Sequence, residues 1–266
     1  MTTRRHLLAQ FCASAAAVAA PQVASAAQKQ SLIDPLRLAV DDALADSGLA
    51  GALQRAFGRD TGVAVQVLRG TATAVLKALE RGEHDAALTN APSAEEPLDK
   101  QGLVYDRQPI VRSEFVLVGP LLLAKPLAAS HDIALAASRL AQAQVPFLSR
   151  ADGSGTHLME LSMWSAARTA PSGPWYRQAE AGTAAVIQAR EQQACMLVER
   201  GAWLAQAGGK GFGVLCEGDP RLAVDVHLMR SFRAQHPAMK LFFRWVTSAK
   251  GKRLAAAHRG YRPLPR

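Results

Sequence analysis

The chain has 266 residues, 20% charged and 49% hydrophobic, with 31 Lys and Arg against 22 Asp and Glu for a formal charge of +9. That balance is globular and excludes a disordered polycation. Three cysteines exclude a disulfide-built scaffold, and no apolar run reaches the roughly 20 residues that span a bilayer, so a polytopic membrane protein is excluded too.

Residues 1–26 read as an export signal. Arg4 and Arg5 precede an alanine-rich apolar stretch, Ala24-Ser25-Ala26 supplies a small-x-small cleavage site, and Thr3-Arg4-Arg5-x-Leu7-Leu8 follows the twin-arginine pattern. An ordinary amphipathic helix is the competing reading and accounts less well for that combination. Phe11 stands where a lipobox before Cys12 needs a small residue, so lipidation is not expected. Export places the mature chain in the periplasm, where Cys195 and Cys216 either pair or remain two buried thiols.

From residue 36 onward, short apolar runs alternate with amphipathic segments. Leu36–Val40 predicts a strand and Ser47–Gly58 a helix; Val63–Leu68 predicts a second strand and Thr71–Gly82 a helix stopped by its glycine. Residues 85–90 and 115–120 continue the strands. Beyond Pro120 the pattern restarts: helices over 133–143, 156–168 and 183–194, and strands over 145–149, 195–198 and 212–216. Residues 239–259 read as two helices broken at Ser248. This order predicts an α/β fold of two lobes, each a mainly parallel sheet flanked by helices, with a cleft between them.

Ligands of such sheets bind at the carboxyl ends of strands, where helix N-termini present unpaired amides. Four segments have that placement: 41–47, 70–73, 149–157 and 182–183. Arg150 followed by Ala-Asp-Gly-Ser-Gly-Thr-His combines a guanidinium, hydroxyls and a helix start, as a small anion or carboxylate requires. The competing reading pairs Arg150 with Asp152 and leaves Ser154 and Thr156 as helix caps.

The segments VYDRQPIVRSEFVLVGP, PFLSRADGSGTHLMELSMW, PSGPWYRQ, LVERGAWLA and EGDP resemble, in order and spacing, the tungstate-binding proteins that feed bacterial ABC importers. The resemblance implies a type II periplasmic-binding-protein fold: two lobes joined by crossover strands near 115–119 and 224–229. Lobe 1 would comprise 27–118 with 223–266, and lobe 2 119–222. It implies ligand contacts from Arg150 and Thr156 in lobe 2, with the Gly70-Thr71-Ala72 turn of lobe 1 supplying amides or a hydroxyl; Ser154, Gly155 and Thr183 join the candidates from the strand-end segments.

One segment departs from that family. Its first strand is followed by a Thr/Ser run; here Leu38-Ala39 and Asp46-Ser47-Gly48-Leu49 match, but the six residues between contain no hydroxyl and bring in Asp41 and Asp42. A like charge about 4 Å from an anion costs roughly 4 kcal/mol at an effective dielectric near 20, against about 12 for nanomolar binding. Three arrangements remain open. The aspartates point outward or cap a helix; or one faces Arg150 and the ligand is a zwitterion; or they pair with Arg150 and no tight ligand binds.

Other classes fit less well. Ser154 and His157, with Asp152, lack a G-x-S-x-G elbow and stand three apart at a helix start, which is poor geometry for a hydrolase relay. His157 and Glu160 read as an exposed pair rather than a metal site, and GGKGFG matches no nucleotide-binding pattern. Trp175-Tyr176 is the candidate lid contact, while Trp164 and Trp203 are expected in the core. A nucleic-acid module is absent despite the basic charge. The expectation is therefore a monomeric, exported solute-binding protein, without enzymatic activity, metal or cofactor. It would pass a small anion or zwitterion to an ABC permease in the inner membrane. The basicity is concentrated in 223–266, which hold ten basic residues and one acidic, and reads as a solvated or docking face.

Overall fold

The computed structural model of the chain describes residues 31–123, 131–180, 184–206 and 209–265. The expected export signal lies outside them. Among the described residues no helix is long and apolar enough to cross a membrane.

β1 (Leu36–Asp41) pairs in parallel with β2 (Val65–Gly70) on one side and β3 (Ala86–Thr89) on the other. The connections hold α1 (Asp42–Asp46), α2 (Leu49–Thr61) and α3 (Ala72–Arg81), and α4 (Pro92–Lys100) follows β3. The α3 boundaries are set locally. Thr71 Oγ1 accepts from the Ala74 amide at the N-terminus, and Gly82 ends the helix at φ 78°, a conformation that disfavours a side chain.

β4 (Val104–Pro120) joins the two halves. From Val104 to Glu114 it runs antiparallel to β9 (Ala223–Ser231), and from Phe115 onward it pairs with β7 (Met196–Glu199) and then β8 (Phe212–Cys216). The strand is far longer than the 115–120 segment read from sequence. Against β9 its register slips twice, between Tyr105 and Gln108 and between Pro109 and Val111, which breaks the alternation a strand pattern depends on.

The second half contains α5 (Ile133–Gln142), β5 (Phe147–Ser149), α6 (Gly155–Ala166), β6 (Tyr176–Gln178), α7 (Ala185–Glu191) and α8 (Arg200–Ala205). β5 is parallel to β6, and the Leu148 amide donates to the Cys195 carbonyl at 2.8 Å, tying β5 to the start of β7. The main sheet runs β2-β1-β3-β9-β4-β7, with β8 also on β4. Parallel pairing thus joins β1, β2 and β3 in the first half and β5 with β6 in the second, and antiparallel crossover strands join the halves.

Each half has its own core. In the first, Leu36, Leu38, Leu53 and Phe57 pack with Phe242 of α9 (Met239–Thr247), the Phe57 and Phe242 rings meeting edge to face at 5.0 Å. Ser248 ends α9 and caps α10 (Ala249–Ala257), accepting from Gly251, so the predicted break holds. In the second, Phe115, Phe147, Trp164 and Leu197 pack on one face of the sheet, and Val116, Met196 and Trp203 on the other.

Two expectations need correction here. Trp175-Tyr176 is no lid: Trp175 is buried against Trp164 at 5.9 Å, and Tyr176 stacks on Phe147 and donates to Glu160 at 2.6 Å. Glu160 is likewise not exposed. It is 1% accessible and also accepts from the Trp164 indole, because α6 is wedged against the aromatic cluster on that side. Cys195 and Cys216 are buried and form no disulfide, which leaves the buried-thiol alternative.

Candidate ligand site in the interlobe cleft

The carboxyl ends of β1 and β3 face the N-terminus of α6 across the cleft. α6 is reached from β5 through Arg150-Ala151-Asp152-Gly153-Ser154, a turn in which Ala151 (φ 48°) and Gly153 (φ 74°) both lie in the left-handed region. Asp152 shapes it, accepting from the Ser154 amide at 2.9 Å and from Arg150 Nε at 2.9 Å. Ser154 caps α6, its hydroxyl accepting from the His157 amide at 3.3 Å. Burial of Ser154, Gly155 and Thr156 brings this end of the helix into the seam between the lobes.

Asp41 is the last residue of β1 and is fully buried. Its Oδ1 caps α1 by accepting from the Ala43 amide, and its Oδ2 crosses the cleft to accept from the Gly155 amide, both at 3.0 Å. Burial pushes its carboxyl up to about 6, against the pull of those two amides and of Arg150, while the neighbouring Asp42 adds to the rise. Asp42 does not reach α6 and pairs instead with Arg69 Nε at 3.5 Å; Arg69 also holds Asp46. The two aspartates, indistinguishable in sequence, therefore have different surroundings.

Arg150 forms the anticipated alternative pair, with Asp152 taking Nε at 2.9 Å and Nη2 at 2.8 Å. It still lines the cleft, on the wall of a cavity of about 580 Å³ shared with Asp42, Asp46, Arg69, Asp152 and Glu180. It also borders a small void of about 30 Å³ with Thr156 and Ala43. Thr71 Oγ1 lies 3.4 Å from Thr73 Oγ1 at the start of α3, and Ala72 is buried behind it. Thr183 lies outside the described residues.

Sequence reasoning missed one contributor. Asn90 follows β3 and is 1% accessible, yet neither its Nδ2 nor its Oδ1 has a hydrogen-bond partner. It is positioned by a rigid turn in which Glu95 accepts from Thr89 Oγ1 at 2.6 Å and the Ala91 amide at 2.9 Å, with Arg107 and His227 closing on the same carboxylate. Its signal was its place directly after a strand. Thr73 donates its amide to the Gly153 carbonyl at 3.1 Å, a second contact across the cleft.

The Ser154–His157 pair has no relay geometry. The His157 Nδ1 accepts from the Gly153 amide at 3.0 Å, and the Ser154 hydroxyl is engaged by the His157 backbone. Among the described residues no cluster of His, Cys, Asp or Glu is arranged to hold a metal ion.

Two α/β lobes, two crossover strands and a cleft bordered by strand ends and a helix N-terminus define the class of two-lobed solute-binding proteins. A PBP superfamily domain matches residues 25–250. The tungstate-binding protein TupA of Peptoclostridium acidaminophilum is 30% identical over 227 residues, covering 82% of this chain and 79% of that relative. The namesake from Campylobacter jejuni is 26% identical over 216 residues, 77% of this chain and 80% of its own. The crystal structure of the tungstate ABC transporter from Geobacter sulfurreducens superimposes with a TM-score of 0.75 at 27% identity, over 85% of this chain and 99% of that one. The chain belongs to the PBP superfamily, in the family of these solute-binding proteins.

Proposed function

We propose that this protein captures a small tetrahedral oxyanion, tungstate in the first instance, between its lobes and presents it to an ABC permease of the inner membrane. The observation that carries the reading is the meeting of Arg150 and the α6 N-terminus with the strand ends of the other lobe. Amides at a helix start and a guanidinium are the donors a dehydrated oxyanion needs. The names of the relatives support the same ligand class. Binding selects a liganded arrangement of the lobes, and that arrangement is what a permease reads, so no covalent chemistry is required. The twin-arginine-like signal at 1–26 accords with delivery to the periplasm. The lobes would move as the sequence divides them, 27–118 with 223–266 against 119–222, with a single chain sufficient to complete the cleft.

Thermal shift with tungstate, molybdate, sulfate and a panel of amino acids tests this. A ligand at 100 times its dissociation constant adds about 2.7 kcal/mol of stability. Tungstate is expected to raise the Tm of the wild type, and Arg150→Ala to abolish the rise. A response confined to an amino acid would favour a zwitterion, a reading the four carboxylates around the 580 Å³ cavity would then explain.

A further inference from the structure

The seam between the lobes is closed by three contacts that converge on one short segment. Asp41 Oδ2 accepts from the Gly155 amide at 3.0 Å. The Asn90 side chain lies so close to Gly155 that a Cβ there would collide with its Oδ1. Thr73 donates its amide to the Gly153 carbonyl, and its hydroxyl occupies the space a Gly153 Cβ would need. Both glycines of Asp-Gly-Ser-Gly-Thr are thus used for close approach of one lobe to the other. A helix cap needs one carboxylate oxygen, and Asp41 gives that one to Ala43. Its second oxygen goes to the first residue of a helix in the opposite lobe, where the amides and dipole favour negative charge.

We propose that Asp41 is a tethered anion: its carboxylate takes the α6 amide that an oxyanion would otherwise hold and clasps the lobes shut, so an external oxyanion binds by displacing it. The proposal rests on the oxyanion reading for its ligand, though not for the clasp. Asn90 fits the exchange. Its buried, unpartnered amide supplies a donor to an incoming oxygen at the moment Asp41 withdraws. Asp42, paired with Arg69 on the cavity wall, makes no contact with the α6 N-terminus and takes no part in the clasp.

The experiment compares wild type with Asp41→Thr, Asp42→Thr and Gly155→Ala. Threonine is itself a helix cap, so Asp41→Thr keeps α1 while removing the charge; circular dichroism checks the fold. Small-angle scattering without added ligand should give a larger radius of gyration for Asp41→Thr and for Gly155→Ala than for wild type. Gly155→Ala opens the seam with Asp41 intact, so it guards against a folding defect peculiar to position 41. Calorimetric titration with tungstate should show Asp41→Thr binding at least tenfold tighter than wild type, and Asp42→Thr gaining less than threefold. Equal radii for all the ligand-free proteins would overturn the clasp. Equal gains from the two aspartate changes would overturn displacement, because removal of any nearby charge would then suffice. If no variant binds tungstate, the oxyanion reading fails while scattering still decides the clasp.

Discussion

Asp41 also has a thermodynamic signature of its own. Its carboxyl is held at about 6 in the folded protein against 3.8 for an ordinary aspartate, chiefly by burial; the amides of Gly155 and Ala43 and the charge of Arg150 oppose the rise, and Asp42 reinforces it. Tyr261, a buried phenol whose own ionisation is pushed up in part by Asp41, is neutral throughout the range concerned. Because the folded value is the raised one, this group's stabilising contribution is full below pH 3.8 and is lost as pH climbs through 6. The gap corresponds to about 3 kcal/mol at most. Asp41→Asn removes the titration and keeps one acceptor. The stability of this variant relative to wild type, from denaturant melts between pH 4 and pH 7.5, should therefore increase with pH by a large part of that amount. Other buried carboxyls cancel in the comparison, and a difference that stays flat with pH would show that Asp41 is not the ionised, desolvated group described.

Among elements, the crossover β4 and the loop after β7 show how the halves are joined. Glu199 ends β7 fully buried, accepts from the Ser113 hydroxyl in β4, and caps α8 through the Ala202 amide at 2.7 Å. Burial pushes its carboxyl up to about 7. Glu199→Ala strands both donors, each costing about 1–3 kcal/mol when left unpaired. A fall of roughly 2–6 kcal/mol in unfolding free energy is expected, whereas Glu199→Gln, which keeps an acceptor, should lose less than half as much in the same urea titration. A comparable loss in both would mean that charge rather than hydrogen bonding holds the junction. This junction was hard to read in sequence. Elements with local punctuation were legible: Thr71 and Gly82 bound α3, Ser154 starts α6 and Ser248 separates α9 from α10. The first part of β4 was hidden by its two register slips, and α4 by Pro92 and Pro97. The site was legible to the extent that its parts are local. Arg150 and the α6 N-terminus follow from one stretch of chain. Which of Asp41 and Asp42 crosses the cleft, and that Asn90 meets Gly155, depend on how two lobes dock, which no local pattern encodes.

At the scale of the whole molecule, the formal charge of +9 is misleading about the ligand. Ten of the basic residues lie in 223–266, whose helices α9 and α10 pack on the core of lobe 1 and, among the described residues, line no part of the large cavity, with Lys250 paired to Asp60 of α2. Among the described residues the large cavity is lined by Asp42, Asp46, Asp152 and Glu180 against Arg69 and Arg150, and Asp41, next to Asp42 in the chain, is buried. An approaching oxyanion thus meets local repulsion, and a distant basic face acts on it only where screening is weak. The Debye length shortens from about 30 Å at 0.01 M salt to about 8 Å at physiological strength. If the cleft's own charges govern binding, raising salt over that range should leave tungstate affinity within about twofold or increase it, because screening weakens the repulsion first. Calorimetry at the two ionic strengths checks this. A severalfold loss of affinity with salt would mean that the basic helices steer the anion into the cleft, and that the C-terminal charge belongs to ligand capture rather than to a separate face of the molecule.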